Sequence, residues 1–300
     1  MKNVIITCSN HKIGNFLINH WLRSLKENVN LKDTDIVVID YGLNDKQKKI
    51  LNDEGVILHK GVKNYHIVNK RFFDAKKILK KNNYKQVLFI DGGDIIFQSD
   101  ISDVFNKNKN SIRATIIGVE VLFFEWFISV FGNFTEETKI EIWKTLWNKP
   151  VINAGVIFAP SRKFIEMCSE MERMINNKNS FGPDQIIVNY YLYKYGFVML
   201  DEKYNFMINA AKKGFNAKNG VIYKKNGEKA AIVHNAGQLD IFRPIDNFGY
   251  GPKHNKVKQF IYHAKRTQYK ILEIYKKVFP KKNNFEKNSQ NTIKPQNTIW

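Results

Sequence analysis

The chain has 300 residues, 43% hydrophobic and 13% aromatic, enough for one large α/β domain or a domain with an appendage. Its two cysteines, Cys8 and Cys168, offer neither a disulfide framework nor zinc-ligand spacing and fit a reducing compartment. Lys and Arg outnumber Asp and Glu by 48 to 28; the formal charge of +20 favours anionic partners, although a Lys- and Asn-rich composition accounts for it equally well.

In chain order, NVIITC (3–8) reads as a buried strand and IGNFLINHWLRSLKENV (13–29) as a helix. DIVVIDYG (35–42) is a second strand, QKKILNDEG (47–55) a short helix closed by Gly55, and VILHK (56–60) a third strand. HIVNKRFFDAKKILKKNN (66–83) is a basic amphipathic helix, followed by the apolar strand VLFI (87–90). Strands are expected at 114–123 and 151–160 (broken at Asn153-Ala154-Gly155), strands running into polar loops at 198–205 and 230–237, and helices at 137–148, 162–176 and 183–196. This alternation predicts an α/β fold with a mainly parallel sheet flanked by helices. The opening MKNVIITCSN turns polar too soon for a signal peptide, and VEVLFFEWFISVF is interrupted by Glu120 and Glu125, so a cytoplasmic chain without a membrane span is expected. The expected division is a domain over 1–252, a basic amphipathic helical extension over 253–282 and a disordered tail over 283–300. The extension has apolar residues at helical spacing among its lysines. It can lie peripherally on an anionic membrane surface, or pack its stripe on the domain and leave the lysines in water.

The segment VLFIDGGDIIF (87–97) carries the most chemistry. Its apolar run fits a strand buried on both faces, and it ends in Asp91 and Asp94 separated by Gly92 and Gly93. Buried carboxylates are rare unless paired or bound to metal, and the glycines let a ligand approach closely. Mg²⁺ and Mn²⁺ take carboxylate oxygens and share their remaining positions with substrate phosphates. A tight Asp-Gly turn is the structural alternative.

Five segments in order are similar to those of nucleotide-sugar glycosyltransferases of the GT-A (Rossmann-like) fold, near the retaining galactosyltransferase and glycogenin-like families and the glycosyltransferase domains of collagen-modifying enzymes. They are FIDGGDIIF, VINAGVIF (151–158), PDQIIVN (183–189), LDEKYNFM (200–207) and VHNAGQ (233–238), and the resemblance spans residues 1–245. It implies that Asp91, Asp94 and His234 hold Mn²⁺ (or Mg²⁺) against the phosphates of a UDP-sugar. It places Thr7, Cys8, Asp40, Tyr41, Arg71, Asp91, Gly92 and Gly237 around the donor, with Tyr41 available to stack on the base and Lys70 and Lys76 competing with Arg71 as the cation. Asn153, Asp184 and Gln185 would lie beside the reacting sugar. For Asp40 a turn or cap, for Asn153 a bulge, and for Asp184 and Gln185 a helix cap are the structural alternatives.

The implied activity is metal-dependent, retaining transfer of galactose or glucose from a UDP-sugar to a glycan or lipid-linked acceptor, without specific nucleic acid. The aromatic stretch 121–147 lies where acceptors often bind in this fold, with core packing as the default reading for most of its residues. Three departures stand out. Ile186 replaces the last Asp of an Asp-Gln-Asp pattern, Asp240 stands where a Lys follows the His loop (Arg243 being the candidate substitute), and the metal motif has two intervening residues. A nucleotidyltransferase acting on a sugar phosphate is the alternative enzyme, but TCSNHKIGN is poor in the glycines it would want. A basic nucleic-acid-binding protein would want aromatics interleaved with the lysines, which here fall mostly in separate segments.

Overall fold

The computed structural model describes residues 1–117, 134–208 and 214–236, together with Ala264, Thr267 and Ile271. Gly237, Asp240, Arg243, the aromatics Phe123, Phe124, Trp126 and Phe127, nearly all of the basic extension and the whole tail lie outside the described residues.

The first half alternates as its apolar spacing predicts. It comprises β1 (Asn3–Ser9), a helical run of α1 (Gly14–Phe16), a π turn (Leu17–Leu22) and α2 (Arg23–Asn28), then β2 (Thr34–Asp40), α3 (Asp45–Asp53), β3 (Ile57–Lys60), α4 (Ile67–Lys81) and β4 (Gln86–Ile90). After these come β5 (Ile95–Phe97), β6 (Arg113–Ile116), α5 (Glu136–Leu146), β7 (Ile152–Pro160), α6 (Ser161–Met174), α7 (Pro183–Tyr195), β8 (Val198–Met199), β9 (Phe206–Met207), β10 (Phe215–Lys218), β11 (Val221–Lys224) and β12 (Ile232–His234).

The central sheet has seven strands in the order β3-β2-β1-β4-β7-β6-β8, and all but β7 run the same way. Strand alternation divides its side chains between two cores. Val4, Ile6, Val37, Ile39, Val87, Phe89, Ile157 and Ala159 pack against α4, α5, α6 and α7. Ile5, Ile36, Val38, Leu88, Ile90, Val156 and Phe158 pack on the opposite face, against the helical run 14–28. Both faces are therefore covered, as a mainly parallel sheet requires.

Two expectations need correction. Residues 198–205 do not form one strand: after β8 the chain turns through a 3-10 segment, Glu202–Asn205, before β9. The Asp201 carboxylate accepts from Lys203 N at 2.8 Å and caps that turn, a local bond that competes with strand pairing. The Asn153-Ala154-Gly155 break is real but does not end β7: the register with β6 slips between Ala114 and Ile116, while β7 continues to Pro160. The β10–β11 hairpin was not anticipated, although Asn219-Gly220 marks it; both residues have positive φ, 51° and 77°, as a tight hairpin turn requires.

A small second sheet, β5-β12-β9, builds the site. β12 runs antiparallel to β5 with His234 opposite Ile95, so the end of β12 meets the residue before β5, Asp94. β9 pairs parallel to β12 and follows directly after Asn205.

Candidate active site

Asp91 leaves the end of β4 in the central sheet, and Asp94 enters β5 in the small one. The turn between them needs its glycines. A Cβ on Gly92 would sit 2.6 Å from Thr7 Oγ1 and 2.8 Å from the Cys8 carbonyl. A Cβ on Gly155 would sit 2.6 Å from Asp91 Oδ2 and 2.7 Å from His234 Cε1, so this glycine makes the room in which those side chains meet.

The ligand atoms that Asp91, Asp94 and His234 offer all lie within 4.8 Å of one another. His234 Nε2 is 3.7 Å from Asp91 Oδ2 and 3.5 Å from Asp94 Oδ1. It is buried and, among the described residues, has no hydrogen-bond partner.

Its tautomer follows from a chain of hydrogen bonds. Gly155 N–H can only donate, and it donates to Asn153 Oδ1 at 2.9 Å. That oxygen also accepts from Asn205 Nδ2 at 2.9 Å, which turns Asn205 Oδ1 toward His234 Nδ1 at 3.0 Å. Nδ1 therefore carries a proton and donates it, which leaves Nε2 facing the two carboxylates, as a lone pair for a metal ion or as the second N–H of an imidazolium. In the first state three donors of negative density face one another and repel unless a cation lies between them. Two carboxylate oxygens and an imidazole nitrogen fit Mn²⁺ and, less well, Mg²⁺.

Arg71 is the cation that reaches this group. On α4, it donates to Asp91 Oδ1 through one terminal nitrogen and lies 3.5 Å from Asp184 Oδ2 through the other. Lys70 is buried and paired with Asp74, and Lys76 pairs with Glu172, so of the three only Arg71 touches this group among the described residues. Asp184 sits in the first turn of α7, buried, and burial pushes its carboxyl above the usual range against the pull of Arg71. Ile186 is fully buried in the core.

The remaining expected residues divide. Asn153 belongs to the hydrogen-bond chain above. Gln185 is held by β7: its Oε1 accepts from Ala154 N at 3.0 Å and its amide donates to the Ile152 carbonyl. Asn189, not anticipated, binds both backbone groups of Ile152 at 2.7 Å, so one face of α7 grips the irregular part of β7. Asp40 accepts from Gly42 N and Leu43 N at 2.7 and 2.6 Å, which is the turn role. Tyr41 is not an exposed platform for a base. It is 1% exposed, its hydroxyl donates to Asp74 Oδ2 at 2.8 Å, and its ring lies against Gly61. Thr7 is likewise buried, under Gly92, while Cys8 is partly buried with its thiol pushed up by burial. Asn205, inside the YN segment but not singled out, orients the histidine.

No protein-family model and no curated sequence matches the chain. Solved structures do. A galactosyltransferase, LgtC, in complex with donor and acceptor sugar analogues is 16% identical, with a TM-score of 0.52 over 87% of this chain and 95% of that one. The bifunctional glycosyltransferase WbbM in its apo form is 14% identical, with a TM-score of 0.55 over 87% of this chain and 51% of that one. GlyE of Streptococcus pneumoniae is 17% identical, with a TM-score of 0.52 over 88% of this chain and 64% of that one. The fold is the GT-A fold. In these GT-A terms the two sheets meet at Asp91 and Asp94, and the chain spans nearly all of LgtC but about half of WbbM.

Proposed function

We propose that the chain is a metal-dependent glycosyltransferase that moves galactose or glucose, with retention, from a UDP-sugar to a glycan or lipid-linked acceptor. One observation carries the reading: a buried imidazole, oriented through Nδ1 by Asn205, whose Nε2 faces two carboxylates at the junction of two sheets, all three ligand atoms lying within 4.8 Å of one another. Structural packing alone does not call for that arrangement, and a divalent cation satisfies it. The likeness to proteins named as glycosyltransferases, one of them holding donor and acceptor sugar analogues, supports the choice of reaction.

Asp91, Asp94 and His234 would hold Mn²⁺. When bound, the ion supplies positive charge that neutralises the leaving diphosphate. The chain's own residues do the rest. Arg71, 11% exposed at its side chain, offers a second, fixed positive charge beside the same leaving group. Asp184, tethered to Arg71, is placed to accept a sugar hydroxyl. Gln185 and Asn153 set the shape of the sugar-facing backbone of β7 and hold the reacting sugar in one orientation.

The basic segment 253–282 is proposed to bring the enzyme to an anionic membrane surface, in keeping with a cytoplasmic, peripheral location. Among the described residues, no helix is long and apolar enough to cross a membrane.

The test is calorimetric titration with Mn²⁺ and a UDP-hexose hydrolysis assay, on wild type and Asp94→Asn. The wild type should bind Mn²⁺ and hydrolyse donor, and the folded variant should do neither. Undiminished hydrolysis by Asp94→Asn would refute the reading.

A further inference from the structure

Helix α4 carries a feature that neither the core nor the metal group explains. Lys70 and Asp74, one turn apart, are each 3% exposed. Lys70 donates to Asp74 Oδ1, and Tyr41 donates to Asp74 Oδ2 at 2.8 Å. Burying such a trio is no gain over apolar residues of the same volume, because desolvating the charges offsets their attraction. Hydrogen bonds do supply direction, which apolar contacts do not.

The direction is well anchored. Tyr41 N donates to the Ser9 carbonyl at 2.8 Å, which fixes the tyrosine to the end of β1. Its ring is wedged where a Cβ on Gly61 would lie 2.4 and 2.5 Å from ring carbons. On the other flank of α4, Asn69 Nδ2 donates to the Lys178 and Ser180 carbonyls at 3.0 and 2.8 Å, and His66 N to the Lys178 carbonyl at 3.1 Å. Those carbonyls belong to the loop that leads into α7 and Asp184. The first two turns of α4 are thus pinned to β1 and β2 on one side and to the approach to α7 on the other. Arg71 lies between the pins and meets a carboxylate from each direction, Asp91 and Asp184.

We propose that Lys70, Asp74 and Tyr41 are positioning residues that lock the rotation and height of α4, so that Arg71 addresses Asp91 and Asp184 together. A shift of about 1 Å at such a group can cost on the order of 100-fold in rate. Apolar packing tolerates a shift of that size, and the polar trio resists it. The kinetic part of the test rests on the proposed glycosyltransferase reading, whereas the spectroscopic part does not.

The experiment replaces the charge pair by apolar residues in Lys70→Met/Asp74→Leu. Thermal unfolding should be unchanged or raised, and Mn²⁺ binding by calorimetry should stay within about twofold. UDP-hexose hydrolysis should lose about tenfold or more in kcat, with a smaller change in KM. The Arg71 Nη–H resonances, assigned by their loss in Arg71→Lys, should move toward those of a solvent-exposed arginine, because it is the two Nη atoms that face Asp91 and Asp184. A folded double variant with wild-type kcat and unmoved Arg71 resonances overturns the proposal. If the double variant does not fold, Tyr41→Phe removes only the hydroxyl and should move the resonances and kcat in the same directions by less; no movement in either overturns it. If the wild type proves inactive on UDP-sugars, the functional reading falls, and the resonances alone decide this one.

Discussion

Gly155→Ala perturbs the geometry of the candidate metal group without replacing any residue that would bind the ion. The backbone at Gly155 lies outside the left-handed region, so an alanine there meets no conformational penalty and the added methyl is the whole perturbation. That methyl would lie 2.6 Å from Asp91 Oδ2, 2.7 Å from His234 Cε1 and 2.9 Å from Asn153 Oδ1, all inside contact distance. None of the three is a free end. Asp91 is held by Arg71, His234 by Asn205, and Asn153 by the Gly155 amide itself. Overpacking of this kind costs about 1–3 kcal/mol, which lowers the unfolding temperature but leaves a folded protein. Two ligands are pushed apart and the tautomer chain is strained. Mn²⁺ affinity should therefore fall by about 10–100-fold, the range seen when supporting groups of a metal site are lost. Gly93→Ala is the control. Its methyl would meet only the tip of Ile13 at 3.3 Å, a flexible end that can turn aside, and Mn²⁺ binding should not change. Calorimetric titration of both variants, with thermal unfolding to confirm the fold, is the assay. A folded Gly155→Ala that binds Mn²⁺ like wild type would refute the placement of Asp91 and His234 around one ion.

Three further outcomes are expected. Asn205→Ala removes the acceptor that fixes the His234 tautomer and should weaken Mn²⁺ binding by about 10–100-fold with little effect on folding; unchanged affinity would show that the tautomer needs no such support. For Asp184, a carboxyl whose native value is raised binds more protons folded than unfolded, so its contribution to stability falls as pH rises from 3.8 toward the raised value. Asp184→Asn should therefore unfold at a higher temperature than wild type above that window and at the same temperature below it, while donor hydrolysis falls; scanning calorimetry across pH checks this, and a variant less stable at neutral pH counts against the argument. Truncation after residue 252 should leave donor hydrolysis intact and reduce sedimentation with anionic liposomes, with equal sedimentation of both forms as the opposing result.

Most elements of the first half were legible because β1, β2 and β4 are near-continuous apolar runs and α4 keeps one helical spacing; the π turn at Leu17–Leu22 leaves no such mark. Asp91 and Asp94 were legible as a candidate site because two carboxylates seldom end a buried strand without a partner. What escaped was long-range. Nothing local in HNAG says that β12 runs antiparallel to β5 and so brings His234 to Asp94; the resemblance named the three residues together, and only the fold gives the strand pairing that joins them. Tyr41 looked available because it follows a strand end, where ligands sit. The residue that buries its hydroxyl, Asp74, lies 33 positions away on a helix whose polar residues read as a solvated face. Asn205 and Asn189 escaped for the opposite reason: a lone Asn has many local uses, and only the folded backbone shows which groups these two satisfy.

The charges around the site point to an order of events. Asp91, Asp94 and Asp184 contribute up to three negative charges and Arg71 one positive, so the fully ionised group carries a net charge of about −2 without an ion. Burial resists that charge, which is visible in the raised Asp184 carboxyl. One divalent cation brings the sum to zero, and only then does a diphosphate meet a site that no longer repels it. UDP should accordingly bind about tenfold or more weakly without Mn²⁺ than with it, and Mn²⁺ should bind with UDP absent. Titration of each ligand alone and in the presence of the other checks both statements. UDP binding of equal strength with and without the ion would mean that Arg71 suffices for the phosphates and that the three carboxylates are balanced by something other than a metal.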